Sequence, residues 1–195
     1  MAHTVWIYTA PLEGEEDPSA AARRLLAAGW AELEPGRDLP PLSAAPGGKP
    51  DFAAAGWHLS LSHGRTMAAA ALCRLPVGVD VETLRPVHPR LFRRVLAEKE
   101  RAWLEQAPDR DAAFLQLWTL KEAFAKYTGA GLHGLPRDLC FVPEGRTARL
   151  QGCPELAAGT ELLQGCVLSW CTGAPAVCRL RTCTPAEQEK GGTAG

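Results

Sequence analysis

The chain has 195 residues, of which 46% are hydrophobic and 22% charged, and a formal net charge of −1; that length can bury a core as one domain or as two small lobes. A charge so near zero excludes the global basic field that nonspecific nucleic-acid binding requires, so no nucleic-acid partner is expected. No apolar run of about 18 residues occurs, which excludes a membrane-spanning helix. The opening MAHTVWIYTAPLEGEED lacks a basic start followed by an apolar stretch, so a cytoplasmic protein without a signal peptide is expected.

HTVWIYTA, at residues 3–10, is rich in β-branched and aromatic residues and predicts a first strand. DPSAAARRLLAAGWAEL predicts a helix capped by Asp17 or Ser19, with Pro18 tolerated in its first turn. Residues 35–50 are dense in Pro and Gly and predict mostly loop. WHLSLSH alternates as a strand, with Trp57, Leu59, Leu61 and His63 in one phase; MAAAALC and VGVDVE give two more strands, joined by the turn LPVG. After Arg85-Pro86 the spacing turns helical in RLFRRVLAEKERAWLEQA and in DAAFLQLWTLKEAFAKYTG, the latter ending at Gly129. Short strands follow in DLCFVPE, ARLQG, GCVLSWC and AVCRLR, and residues 186–195 read as a disordered tail. The 7 cysteines form no CxxC pair and sit among apolar neighbours, which fits reduced, buried side chains.

WHLSLSHGRTMAAAALC and CVLSWCTGAPAVCRL echo each other as strand, Gly-containing turn and small-residue strand. The echo suggests an α+β protein of two similar lobes, residues 1–84 and 85–185, related by a pseudo-twofold, each a small antiparallel sheet packed with helix.

Four short stretches carry chemistry. In VGVDVE, Asp80 and Glu82 are two apart on a strand and so share a face, and Gly78 on that face admits a ligand or another backbone. In WTLKEAFAKYTGAGL, Trp118, Glu122 and Lys126 are four apart and form one stripe of a helix whose intervening positions are apolar, so the stripe suits a cleft better than bulk water. In LSLSHG, Ser62 and His63 point in opposite directions along a strand and cannot act as a nucleophile–base pair, leaving a polar strand end or a phosphate contact. In GGKPDF, two glycines precede Lys49 without the spacing of a P-loop.

GKP, SLSHG, VGVDVE and WTLKEAFAK in that order resemble the 4′-phosphopantetheinyl transferases, specifically the longer two-lobed type that acts on carrier proteins of peptide and polyketide synthases. The resemblance covers residues 47–132 and is carried mainly by VGVDVE and WTLKEAFAKYTGAGL. It implies an active site in the cleft between the lobes. There, 4′-phosphopantetheine passes from coenzyme A to a serine hydroxyl of an acyl or peptidyl carrier protein and 3′,5′-ADP is released. It implies Mg²⁺ held by Asp80, Glu82 and Glu122, with Glu122 as base and Lys126 supplying charge to the departing phosphate. Ser62 and His63 would contact phosphates, and Lys49 would sit near the nucleotide. The basic cluster Arg85, Arg90, Arg93 and Arg94 would meet an acidic carrier. Family members have more basic residues before the GKP motif; here Arg23, Arg24 and Arg37 are the candidates, which suggests a looser hold on the 3′-phosphate. A monomer is expected, in fatty acid or secondary metabolism. The alternative is a non-catalytic carrier- or coenzyme A-binding module of the same fold.

Overall fold

The computed structural model describes residues 2–44, 50–52 and 56–184. Lys49 and its two glycines, and the expected tail at 186–195, lie outside them. The elements run β1 (His3–Pro11), α1 (Pro18–Leu33), β2 (Leu42–Ala44), β3 (Pro50–Phe52), β4 (His58–His63), β5 (Met67–Cys73), β6 (Val77–Thr83), α2 (Arg90–Val95), α3 (Glu98–Glu105), α4 (Arg110–Thr128), β7 (Phe141–Glu144), β8 (Thr147–Leu150), β9 (Cys153–Leu163), β10 (Cys166–Thr172) and β11 (Ala176–Thr182).

Two sheets form, with strand orders β11-β1-β5-β4 and β6-β10-β9-β8-β7, beside a small β2-β3 pair. Every pairing is antiparallel except β1 with β11. The layers follow from the alternation of side chains. Val5 and Ile7 of β1, Ala69 and Ala71 of β5, the three valines of β6, and Leu168 and Trp170 of β10 make a core between the two sheets. The opposite phase, with Tyr8, Ala10, Ala70 and Leu72, packs under Leu25, Leu26 and Trp30 of α1. On the far side, Leu117, Leu120 and Ala123 of α4 cover the second sheet. The result is α1, sheet, sheet, α4, an α+β arrangement in which each sheet carries its own helix.

The repeat is clearest in the strand order: β1-β5-β4 in the first sheet corresponds to β6-β10-β9 in the second. The sheets exchange at the turn 74–76 rather than at 84–85, because β6 pairs with β10 in the second sheet, and β11 then returns to pair with β1. The sequence echo is also shifted by one strand. GCVLSWC occupies the place of MAAAALC, and β10 and β11 lie in different sheets instead of forming a hairpin.

Three local expectations are corrected. The helix expected over 90–107 is two, because Leu96 is extended with φ −90° and ψ 137°; the Glu100 carboxylate then accepts from Ala97 N–H at 2.8 Å and starts α3. The 11-residue strand β9 was not anticipated, since CPELAAGTELL is rich in residues depleted from strands. Its Gly159 is required there, as a Cβ would lie 2.8 Å from the Trp170 indole nitrogen. Ser60 and Ser62, in the polar phase of β4, are buried at 2% and 6% exposure because that face meets β6.

Lys121, 5% exposed, and Glu100, 1% exposed, pair at 2.9 Å and tie α4 to α3. Lys121 also donates to the Leu139 carbonyl, and Glu100 accepts from Phe141 N–H at 2.8 Å, so both charges are hydrogen-bonded in place. Lys121→Met would strand a buried carboxylate and is expected to cost about 3–5 kcal/mol in urea unfolding. Gly78→Ala would put a Cβ 1.8 Å from the Ala123 carbonyl oxygen of α4; its expected cost is about 3 kcal/mol, measurable in the same experiment.

Candidate functional site

The acidic cluster is assembled by one close contact. Gly78 sits on β6 with its missing side chain directed at the α4 backbone, near Ala123 O and Tyr127 N, so it admits another backbone rather than a ligand. With α4 this close, Asp80 and Glu82, on the same strand face as Gly78, meet the helix at Glu122. Val77, Val79 and Val81 take the opposite phase into the core between the sheets.

The electrostatics record the convergence. Burial, then the Asp80 charge, pushes the Glu122 carboxyl up to about 7, with Glu82 adding to the rise and Lys126 opposing it. Glu82 is also held above the usual carboxylate range, first by burial and then by Asp80, against the pull of Arg85, a hydrogen bond from the Trp118 indole, and Arg65. Three acids therefore repel one another in a half-buried site. Among the described residues, no three His, Cys, Asp or Glu side chains are close enough to hold a metal ion as they stand.

Asp80 is the most constrained of the three, at 7% exposure. Its Oδ1 accepts from Ser62 Oγ at 2.8 Å and from Lys126 Nζ at 2.8 Å. Its Oδ2 is buried and has no hydrogen-bond partner among the described residues. An orphaned buried carboxylate oxygen is costly and calls for an ion or water as partner. The donor set is hard oxygen with excess negative charge, which fits Mg²⁺ chemistry and does not fit a soft or imidazole-seeking metal.

Lys126 has three N–H donors, and it reaches the Leu61 carbonyl at 3.3 Å, the Val79 carbonyl at 3.1 Å and Asp80. It thus bridges β4 and β6, the edge strands of the two sheets. His63 is exposed, and its Nε2 is 3.4 Å from Ser19 Oγ at the start of α1. Arg24 pairs with Glu16 and Arg37 with Glu34, while Arg23 is exposed. Ser62 is buried beneath Asp80 instead of on an open surface.

Two arginines were not placed in this site from the sequence, whereas Trp118 was expected on the stripe of Glu122 and Lys126. Arg85, assigned to a carrier patch, instead lies 3.7 Å from Glu82, a spacing of three residues across a strand end that could have signalled it. Arg65, in the SHGRT turn, and Trp118 both act on Glu82. Arg93 and Arg94 line a separate groove of about 1170 Å³ with Lys99, Arg101 and Arg137. Trp118 lines that groove too and joins it to the acids.

Residues 76–164 match the model of the 4′-phosphopantetheinyl transferase superfamily. Over 98 residues the chain is 36% identical to the 4′-phosphopantetheinyl transferase psf-1 of Bacillus pumilus, an alignment covering 49% of this chain and 42% of the relative. It is 34% identical over 84 residues to 4′-phosphopantetheinyl transferase Sfp of Bacillus subtilis (strain 168), covering 42% and 37%. A crystal structure of Thermotoga maritima holo-[acyl-carrier-protein] synthase superposes with a TM-score of 0.44 and 21% identity, over 51% of this chain and 63% of that one. The chain thus spans less than half the length of these two curated relatives. The stretch that is similar to the 4′-phosphopantetheinyl transferase superfamily contains Asp80, Glu82, Glu122 and Lys126.

A carboxyl raised from 4.5 to about 7 binds its proton more tightly in the folded state. In cation-free protein, Glu122 therefore withdraws stability as pH rises through that window. The melting temperature of Glu122→Gln is expected to fall less than that of wild type between those two pH values. The gain in melting temperature on adding Mg²⁺ is expected to be larger at pH 8 than at pH 5.5, because protons compete for the same oxygens.

Proposed function

We propose that the protein transfers the 4′-phosphopantetheine group of coenzyme A to a serine hydroxyl of an acyl or peptidyl carrier protein, with Mg²⁺, releasing 3′,5′-ADP. The observation that carries this reading is the meeting of Asp80 and Glu82 on β6 with Glu122 on α4, inside the segment that matches the superfamily.

Asp80, Glu82 and Glu122 would hold the Mg²⁺, whose chemistry is to offset negative charge on a diphosphate. The carrier serine oxygen attacks the β-phosphorus of coenzyme A, and the bond from that phosphorus to the bridging oxygen breaks. Glu122 takes the proton leaving the serine hydroxyl, a task suited to a carboxyl near pH 7. Lys126 contributes fixed positive charge at the seam under the acids, through its contact with Asp80. His63 at the end of β4 and Ser19 in the first turn of α1 offer polar groups toward the nucleotide. Lys49 belongs to the same reading by resemblance.

The carrier is read as acidic around its acceptor serine and is received by the groove of Arg93, Arg94, Lys99, Arg101 and Arg137, which Trp118 joins to the acids. Arg85, 3.7 Å from Glu82, is read with the acids rather than with that groove. All three acids come from one chain, which supports a monomer, and the reading places it in the cytoplasm.

Full-length protein is incubated with coenzyme A, Mg²⁺ and a panel of apo-carriers, and the carriers are weighed by mass spectrometry. The expected result is a Mg²⁺-dependent phosphopantetheine adduct, slowed by about 100-fold or more in Glu122→Gln. Carrier binding without adduct would select a non-catalytic module, and coenzyme A hydrolysis without carrier would select a hydrolase. Arg93→Glu with Arg94→Glu is expected to raise the carrier KM several-fold and to leave the coenzyme A KM unchanged.

A further inference from the structure

Ser62 lies at the junction of the two sheets. β4 and β6 are sheet edges that meet without a backbone ladder, and serine side chains take its place: Ser60 Oγ accepts from Val79 N–H at 3.1 Å and Ser62 Oγ from Val81 N–H at 3.3 Å. Only Ser62 goes further, donating its one hydroxyl hydrogen to Asp80 Oδ1 at 2.8 Å. Together with Lys126 on the same oxygen, it fixes the carboxylate so that Oδ2 alone is left without a partner among the described residues.

We propose that Ser62 is a positioning residue for Asp80, setting which carboxylate oxygen is presented to a divalent cation, and not a phosphate contact. The proposal rests on the cation-dependent reading above and deepens it. A serine at 6% exposure whose hydrogen already serves a carboxylate has nothing to donate to a phosphate. A hydrogen bond that orients a ligating carboxylate is commonly worth 10–100-fold in metal affinity. The same hydroxyl accepts from β6, so the contact also makes the carboxylate's orientation depend on how the two sheets sit against each other.

The test is Mg²⁺ and Mn²⁺ binding by calorimetry on the full chain, without coenzyme A or carrier. Ser62→Ala is expected to weaken the cation by about 10-fold, and Ser62→Thr, which keeps the hydroxyl, to recover most of it. Ser60→Ala removes the neighbouring bridge without touching Asp80; it is expected to lower the melting temperature and to leave cation affinity within about twofold, separating seam stability from positioning. In the absence of divalent cation, 3′,5′-ADP is expected to bind Ser62→Ala as it binds wild type. Unchanged cation affinity in Ser62→Ala, or a several-fold loss of 3′,5′-ADP binding without cation, would overturn the assignment while leaving the transferase reading intact. A wild-type chain that takes up no divalent cation would overturn the transferase reading and this one with it.

Discussion

The site depends on a backbone-to-backbone approach that only glycine allows. At Gly78 the strand and α4 are so close that the Ala123 carbonyl fills the space of a side chain. The two carboxylates further along β6 inherit their distance to Glu122 from that contact. Helix and strand are ordinarily held apart by the side chains packed between them. Removing one side chain here converts ordinary packing into a site where three acids share one field.

The second constraint is that the sheets meet at their edges as well as their faces. The valines of β6 and the alternate residues of β1, β5 and β10 supply an apolar interior between the sheets. At the border between β4 and β6, however, backbone groups need polar partners. Ser60, Ser62 and Lys126 supply them. Lys126 does so while neutralising part of the charge on Asp80, so a lysine that would be costly to half-bury in apolar surroundings is fully bonded where it sits.

Much of this could be read from the sequence, and the failures share a cause. Alternation in VGVDVE and four-residue spacing in WTLKEAFAK are local signals, and they placed Asp80, Glu82, Glu122 and Lys126 on the right elements. The partner of Gly78 could not be chosen between ligand and backbone, because a glycine gives no sign of what approaches it. Ser62 was left as a polar strand end or a phosphate contact because its burial comes from β6, a strand in another sheet. Arg85 was grouped with its neighbours in the basic run because linear proximity outweighed the three-residue reach back to Glu82. The repeat was detected yet shifted by one strand, since β9 carries the alanines, glycine and glutamates of a sequence without strand propensity. The exchange of β6 and β11 between sheets is long-range and left no local trace.

The parallel pairing of β1 with β11 joins residues as much as 173 positions apart, as at Thr9 and Thr182. During synthesis the outer edge of the first sheet must therefore stay unpaired until almost the whole described chain has left the ribosome. Loop-closure entropy falls on this late step, since the intervening polypeptide must already be compact for the ends to meet cheaply. Assembly of the α1-covered layer is thus completed by the last of the described strands, although that layer also contains the first of them.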